Sequence, residues 1–170
     1  MKLAPRFIAL GIATALFVFA FKWLFPHDKD LIRAQLTELS EALLKEKNEN
    51  PVTSLSEAQK LKNFFSDLID THISYKNYQR RPITDRQDLV REYAFMRSYL
   101  KRFSISFDDV KIEIDPSHSR MAYVDSNSRV QWTLKDSQTE QYDSVALEMI
   151  WRKIDGDWLI ERLATVSNKL

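Results

Sequence analysis

The sequence predicts an α+β domain, helices first and an antiparallel sheet after them, behind an apolar N-terminal segment. Three observations carry this. An uncharged run extends from Phe7 to Phe21. Apolar residues then recur every three or four positions from Ile32 to Phe103. From Val110 onward they recur every second position, and the change of period from about 3.6 to 2 marks the passage from helix to strand.

The first segment sets the expected location. Lys2 and Arg6 precede the run, Lys22 interrupts it, and Trp23, Leu24 and Phe25 resume it before Pro26 and the charges at Asp28 to Asp30. A spanning helix needs about 17–25 apolar residues, reached here if Lys22 snorkels to the interface. Residues 1–27 are therefore expected to be a membrane anchor or an uncleaved signal, with Trp23 and its neighbours at the interface. The other reading is cleavage after Ala20, which would leave an exposed aromatic cluster at the new terminus. Both place residues 28–170, one domain, on the extracytoplasmic, periplasmic side, because the positive flank stays inside. The expectation is a single-pass protein that meets membrane lipid through this helix.

Element by element, Ile32, Leu36, Leu39 and Leu43 form the stripe of a first helix, ended by Asn48-Glu49-Asn50-Pro51. Ser54 and Glu57 have capping-box spacing and open a second, with Ala58, Leu61, Phe65 and Leu68 on its buried face. A short extended piece covers Ile73 to Tyr75. Thr84 and Gln87 are a second capping-box pair, opening a third helix that buries Leu89, Tyr93, Met96, Leu100 and Phe103. Val110, Ile112 and Ile114 alternate in a strand. Met121 to Leu134 reads as a longer strand, bulged or broken near Asp125-Ser126-Asn127. Val145, Leu147, Met149 and Trp151 alternate in the next, and Trp158 to about Val166 is the last. Asp155-Gly156 between these two is a hairpin signal, since that turn requires positive φ. Three helices on one face of an antiparallel meander follow.

Composition removes several functions. A formal charge of +1 gives no overall field for nucleic acid. Two glycines do not make phosphate loops or dinucleotide fingerprints, and zero cysteines exclude disulfides, zinc ribbons and thiol nucleophiles. No set of histidines and acids has metal-ligand spacing, so no metal or cofactor is expected.

The order of elements, together with Met149-Ile150-Trp151-Arg152-Lys153-Ile154-Asp155-Gly156-Asp157-Trp158-Leu159-Ile160, resembles the nuclear transport factor 2-like (NTF2-like, cystatin-like cone) superfamily over roughly Leu31 to Ser167. The resemblance implies a sheet curled around its helices into a cone whose open end can hold a pocket. It also implies two kinds of function. Some members are enzymes, such as ketosteroid isomerase, scytalone dehydratase and polyketide cyclases. Others, membrane-anchored periplasmic components of type IV secretion systems among them, bind or assemble. The anchor favours a non-catalytic binding or assembly module of the cell envelope. The alternative is a small-pocket lyase or isomerase of the ketosteroid isomerase/polyketide cyclase type.

Site candidates follow from that division. Catalysis needs a tuned base. Of His27, His72 and His118, the first stands at the membrane boundary and the last in a turn. His72 is thus the catalytic candidate. Tyr75, Tyr93 and Trp132 are candidates for lining a pocket, against the commoner role of core filling. Lys76, Arg80, Arg81, Arg86, Arg91, Arg97, Lys101 and Arg102 form a basic series, read as a solvated outer face rather than a lipid or acidic-partner surface. The expected partner is a protein or a small apolar ligand. Ala146, Ile150 and Ile154 lie opposite Leu147, Met149 and Trp151 on one strand, so the uncovered sheet face either forms a homodimer or is buried within the cone.

Overall fold

The computed structural model describes residues 27–46, 49–75, 78–79 and 81–166, with the side chains of Tyr75, Tyr78 and Gln79 outside the description. Apart from His27, the expected anchor lies outside the described residues, as do Lys76 and Arg80. Among the described residues no helix is long and apolar enough to cross a membrane.

Helix α1 (Asp28–Leu43) carries Ile32, Leu36 and Leu39 into the core. Its first residue is pinned: the Asp28 carboxylate accepts hydrogen bonds from Lys153 Nζ at 2.6 Å and Trp158 Nε1 at 3.0 Å. Helix α2 (Pro51–Gln59) is capped by Asn50, whose side chain accepts from the Thr53 amide at 2.8 Å, with Pro51 preset for the first turn. The expected cap Ser54 is instead buried and donates to Glu49 Oε2 at 3.2 Å. Helix α3 (Arg86–Tyr99) starts one residue later than expected, capped by Asp85, which accepts from the amides of Gln87 and Asp88.

The second helix does not extend to Phe65 and Leu68. After Gln59 the chain makes one 3-10 turn (Lys60–Asn63) and enters strand β1 (Phe65–His72). Phe65, Ile69 and Thr71 face inward at even spacing, while Leu68 is 77% exposed. The spacing Leu61–Phe65–Leu68 is helical, but Ile69 and Thr71 suit a pleated surface, and pairing with the last strand decides between them. Two short strands, β2 (Ser74–Tyr75) and β3 (Tyr78–Gln79), form a separate antiparallel pair.

Four long strands follow: β4 (Leu100–Ile114), β5 (Met121–Leu134), β6 (Gln141–Ile154) and β7 (Asp157–Val166). Leu100 and Phe103 belong to β4, not to α3. β5 is continuous through Asp125-Ser126-Asn127, because the alternation holds there: Ala122, Val124, Ser126 and Ser128 are buried and the residues between them exposed. The sheet order is β1-β7-β6-β5-β4, antiparallel except where β1 runs parallel to β7. The meander expected from the sequence is thus the antiparallel part of a curved mixed sheet. β4 is bulged at Asp109, whose φ of 51° breaks the register between Asp108 and Lys111. Asp155 (φ 52°) and Gly156 (φ 101°) form the two-residue turn between β6 and β7, both at positive φ as a primed turn requires.

One core joins all three helices to the inner sheet face, with Trp151, Trp158, Val124, Met149 and Ile160 at its centre. On the outer face Ile150 lies between Tyr123 and Arg162, with the ion pair Arg152–Glu161 beside it.

Candidate functional site

The cone encloses an apolar cavity of about 230 Å³. Its walls come from every layer: Leu39 and Leu43 of α1, Leu61, Phe65, Phe103, Ile105 and Phe107, then Leu147 and Met149 of β6 and Ile160 and Leu163 of β7. Ile73, Ile83 and one face of α3, namely Leu89, Glu92, Tyr93 and Met96, complete it. Bulky inward side chains on β4 and β6 stand opposite the helices but do not close the space between them. Among the described residues Glu92 is the one charged member of this lining. With Ile83 it also lines an outer groove containing Arg81, Thr84, Asp88, Arg91 and Phe95, so these two residues stand where the cavity meets the surface.

Tyr93 is the other polar member, and its hydroxyl is committed elsewhere. It donates to the Leu43 carbonyl at 2.7 Å and accepts from Arg97 Nη1 at 2.9 Å. Burial pushes the phenol above its ordinary value, so it stays protonated.

Behind Tyr93 lies a buried charged network. Arg97 is 2% exposed, not part of a solvated outer face. Its guanidinium grips Glu49 at two points, 2.8 Å (Nε–Oε2) and 2.7 Å (Nη2–Oε1), and donates to the Leu44 carbonyl at 2.9 Å. Lys45 is 1% exposed, donates to the Arg97 carbonyl at 2.7 Å and stands 3.8 Å from Glu49. The Arg97 hydrogen bonds hold the Glu49 carboxyl below its usual range, and burial pulls Lys45 down. This network fixes the end of α1 against α3, and so fixes Leu43 and Tyr93 as cavity walls. Arg86 also works inward, donating to the carbonyls of Lys62 and Phe65 and pairing with Asp67 to hold the turn into β1.

The sequence candidates divide. Tyr93 lines the cavity. His72 stands at the end of β1 outside the lining, with its side chain 49% exposed and Nε2 2.8 Å from Asp70 Oδ1; Asp70 Oδ2 is 3.5 Å from Arg162 Nε. Trp132 is half-buried on β5 between Phe103 and Gln141, also outside the lining. The side chain of Tyr75 lies outside the described residues. Glu92 was not singled out from sequence, although it sits beside the stripe Leu89–Tyr93–Met96 on the helical wheel, where an acid inside an apolar arc is the available signal. Among the described residues no group of three or more histidines and acids could hold a metal ion.

No family model matches the chain, and no curated protein matches it in sequence. Solved structures match its shape. A protein from Novosphingobium aromaticivorans provisionally named a scytalone dehydratase superposes with a TM-score of 0.65 at 14% identity, over 81% of this chain and 82% of that one. Another from the same organism, provisionally named an aromatic ring hydroxylase, gives 0.65 at 10% identity over 81% and 87%. A nuclear transport factor 2 (NTF2-like) superfamily protein from Salmonella enterica gives 0.55 at 12% identity over 79% and 92%. The domain has the NTF2-like fold. Fold at this level of identity does not assign an activity.

Proposed function

We propose that the cone binds one small apolar molecule, in a domain that residues 1–27 hold at the membrane on its extracytoplasmic side. The carrying observation is the lining, in which Glu92 is the single charge among the described residues and the Tyr93 hydroxyl is already bonded at both donor and acceptor positions. An apolar cavity of about 150 Å³ takes benzene. One of about 230 Å³ suits a body of one or two rings.

The test uses the full chain and its methionine methyl signals. Met96 and Met149 line the cavity and Met121 does not. Naphthalene should shift the first two saturably and leave Met121 unmoved. Uniform shifts, or none, overturn the reading.

A second reading is the small-pocket lyase or isomerase. It is favoured by a carboxylate-bearing residue on the lining and by the likeness to the protein provisionally named a scytalone dehydratase. Glu92 would then serve as general base, in place of His72 at the surface. Glu92→Gln separates the two: an enzyme keeps ligand affinity and loses turnover, whereas a binding module shows no turnover before or after.

Anchorage is tested by fractionation with protease accessibility, full-length chain in the soluble fraction being the contrary result. For a protein partner or a second copy, the outer sheet face around Tyr123 and Ile150 is the proposed contact. A dimer broken by Ile150→Glu supports it, and a dimer unaffected by that change opposes it.

A further inference from the structure

Resting on the anchorage and the cavity proposed above, we infer that the chain holds its cone mouth-outward: the filled end faces the bilayer, the cavity opens into the aqueous phase, and the ligand is a small molecule carried in water, not a lipid of the bilayer. The linker is the first reason. The apolar segment ends at Phe25, and Pro26 and His27 alone separate it from Asp28. Asp28 is clamped to the β6–β7 hairpin through Lys153 Nζ at 2.6 Å and Trp158 Nε1 at 3.0 Å. At about 3.4 Å per extended residue, Phe25 and Asp28 lie at most about 10 Å apart, so this end of the cone stays beside the membrane. The β4–β5 turn is tied to the same end. The Lys153 amide donates to the Arg120 carbonyl at 2.8 Å, and Arg120 Nε donates back to the Lys153 carbonyl at 3.1 Å. These two turns make a broad foot, which so short a linker leaves little room to tip.

The cavity lies toward the other end. Trp151 and Trp158 are 0% and 1% exposed, fill the core on the clamped side, and line none of the cavity. Helix α1 has 16 residues, about 24 Å at 1.5 Å per residue, and only Leu39 and Leu43 near its far end reach the lining. The mouth stands at a similar height. Ile83, shared by the cavity and the outer groove, accepts the Thr71 amide at its carbonyl at 3.2 Å, and Thr71 pairs with Leu163. From Asp157 at the hairpin to Leu163, β7 rises about 20 Å at about 3.3 Å per residue. A bilayer lipid would have to leave the membrane to cover that distance, and its paired acyl chains exceed a space of about 230 Å³. A small molecule in water meets the opening directly.

The experiment places the full chain in phosphatidylcholine nanodiscs, with and without a lipid carrying a gadolinium chelate on its headgroup, and compares the methionine methyl signals. Met121 stands in the foot, its amide bonded to the His118 carbonyl at 2.8 Å. Met149 pairs with Leu163, and Met96 on α3 lines the cavity. The Met121 signal should be lost, Met149 weakened less, and Met96 retained. Loss of Met96 with Met121, or ahead of it, overturns the inference and leaves the anchorage standing. Retention of all three overturns both. A long Gly-Ser insertion between Pro26 and His27 should level the three signals, because a flexible coil no longer fixes which end meets the membrane. A gradient that survives the insertion overturns the role given to the linker and clamp. Naphthalene titration of the same sample tests the cavity separately, so an absent cavity is told apart from one that faces the membrane.

Discussion

Arg97 and Glu49 face each other in a two-point ion pair at 2.7 and 2.8 Å, with the arginine 2% exposed and the loop after α1 folded over it. Buried pairs of this kind are strongly asymmetric: removing one partner leaves the other charged and desolvated. Arg97→Met should therefore lower unfolding stability by about 3–5 kcal/mol, measured by urea titration at pH 7. Arg97→Lys should recover little, because a single ammonium does not reproduce the two-point grip. A loss under about 1 kcal/mol would show the pair to be solvated in practice.

The same pair predicts a pH dependence. Hydrogen bonds from Arg97 hold Glu49 below the ordinary glutamate value of 4.5 in the folded state. A folded value below the unfolded one means stability that is complete above pH 4.5 and lost as pH falls through the folded value. Glu49→Gln should destabilise the domain at pH 7, and the gap from wild type should narrow steadily below pH 4.5. A gap constant across that range would contradict the assignment.

Lys45 behaves oppositely. It is a second cation beside a single carboxylate, and burial depresses it below 10.5. Its protonated form is disfavoured by folding, so wild-type stability should rise as pH climbs from the folded value toward 10.5. Lys45→Met keeps the length and removes the charge; stability at pH 7 should equal the wild type within about 1 kcal/mol or exceed it. A loss above about 2 kcal/mol would mean that its bond to the Arg97 carbonyl outweighs the desolvation.

At Gly156 only the backbone matters. A Cβ there would meet nothing within 4 Å, yet φ is +101°. Gly156→Ala should cost about 1 kcal/mol through strain alone, read by thermal or urea unfolding. An unchanged or raised stability would show that the turn relaxes to another type.

Where the chain's own periodicity decided the structure, the sequence was readable. Asp155-Gly156 named its turn, and the even spacing of Ala122, Val124, Ser126 and Ser128 carried β5 through a polar stretch. β1 was obscured because Leu61, Phe65 and Leu68 fit a helix as well as a strand, and its parallel pairing with β7 depends on residues some ninety positions away. Arg97 was misplaced for a similar reason. An arginine on an amphipathic helix reads as solvated until the chain at Glu49 is known to fold over it. The cavity was least legible of all, because a gap between side chains is a property of their summed volumes and curvature, not of any one residue. Tyr93 reached it on helical spacing, while His72, chosen by elimination among three histidines, stands half-exposed at the end of β1.

Xenon pressure on crystals of the protein asks the central question most directly, since xenon enters apolar cavities regardless of chemistry. The account predicts one well-occupied xenon site bounded by Tyr93, Met96, Phe107, Leu147 and Met149, lost when Met96→Trp fills the space. A cone interior without xenon, or occupied by ordered water, would contradict it.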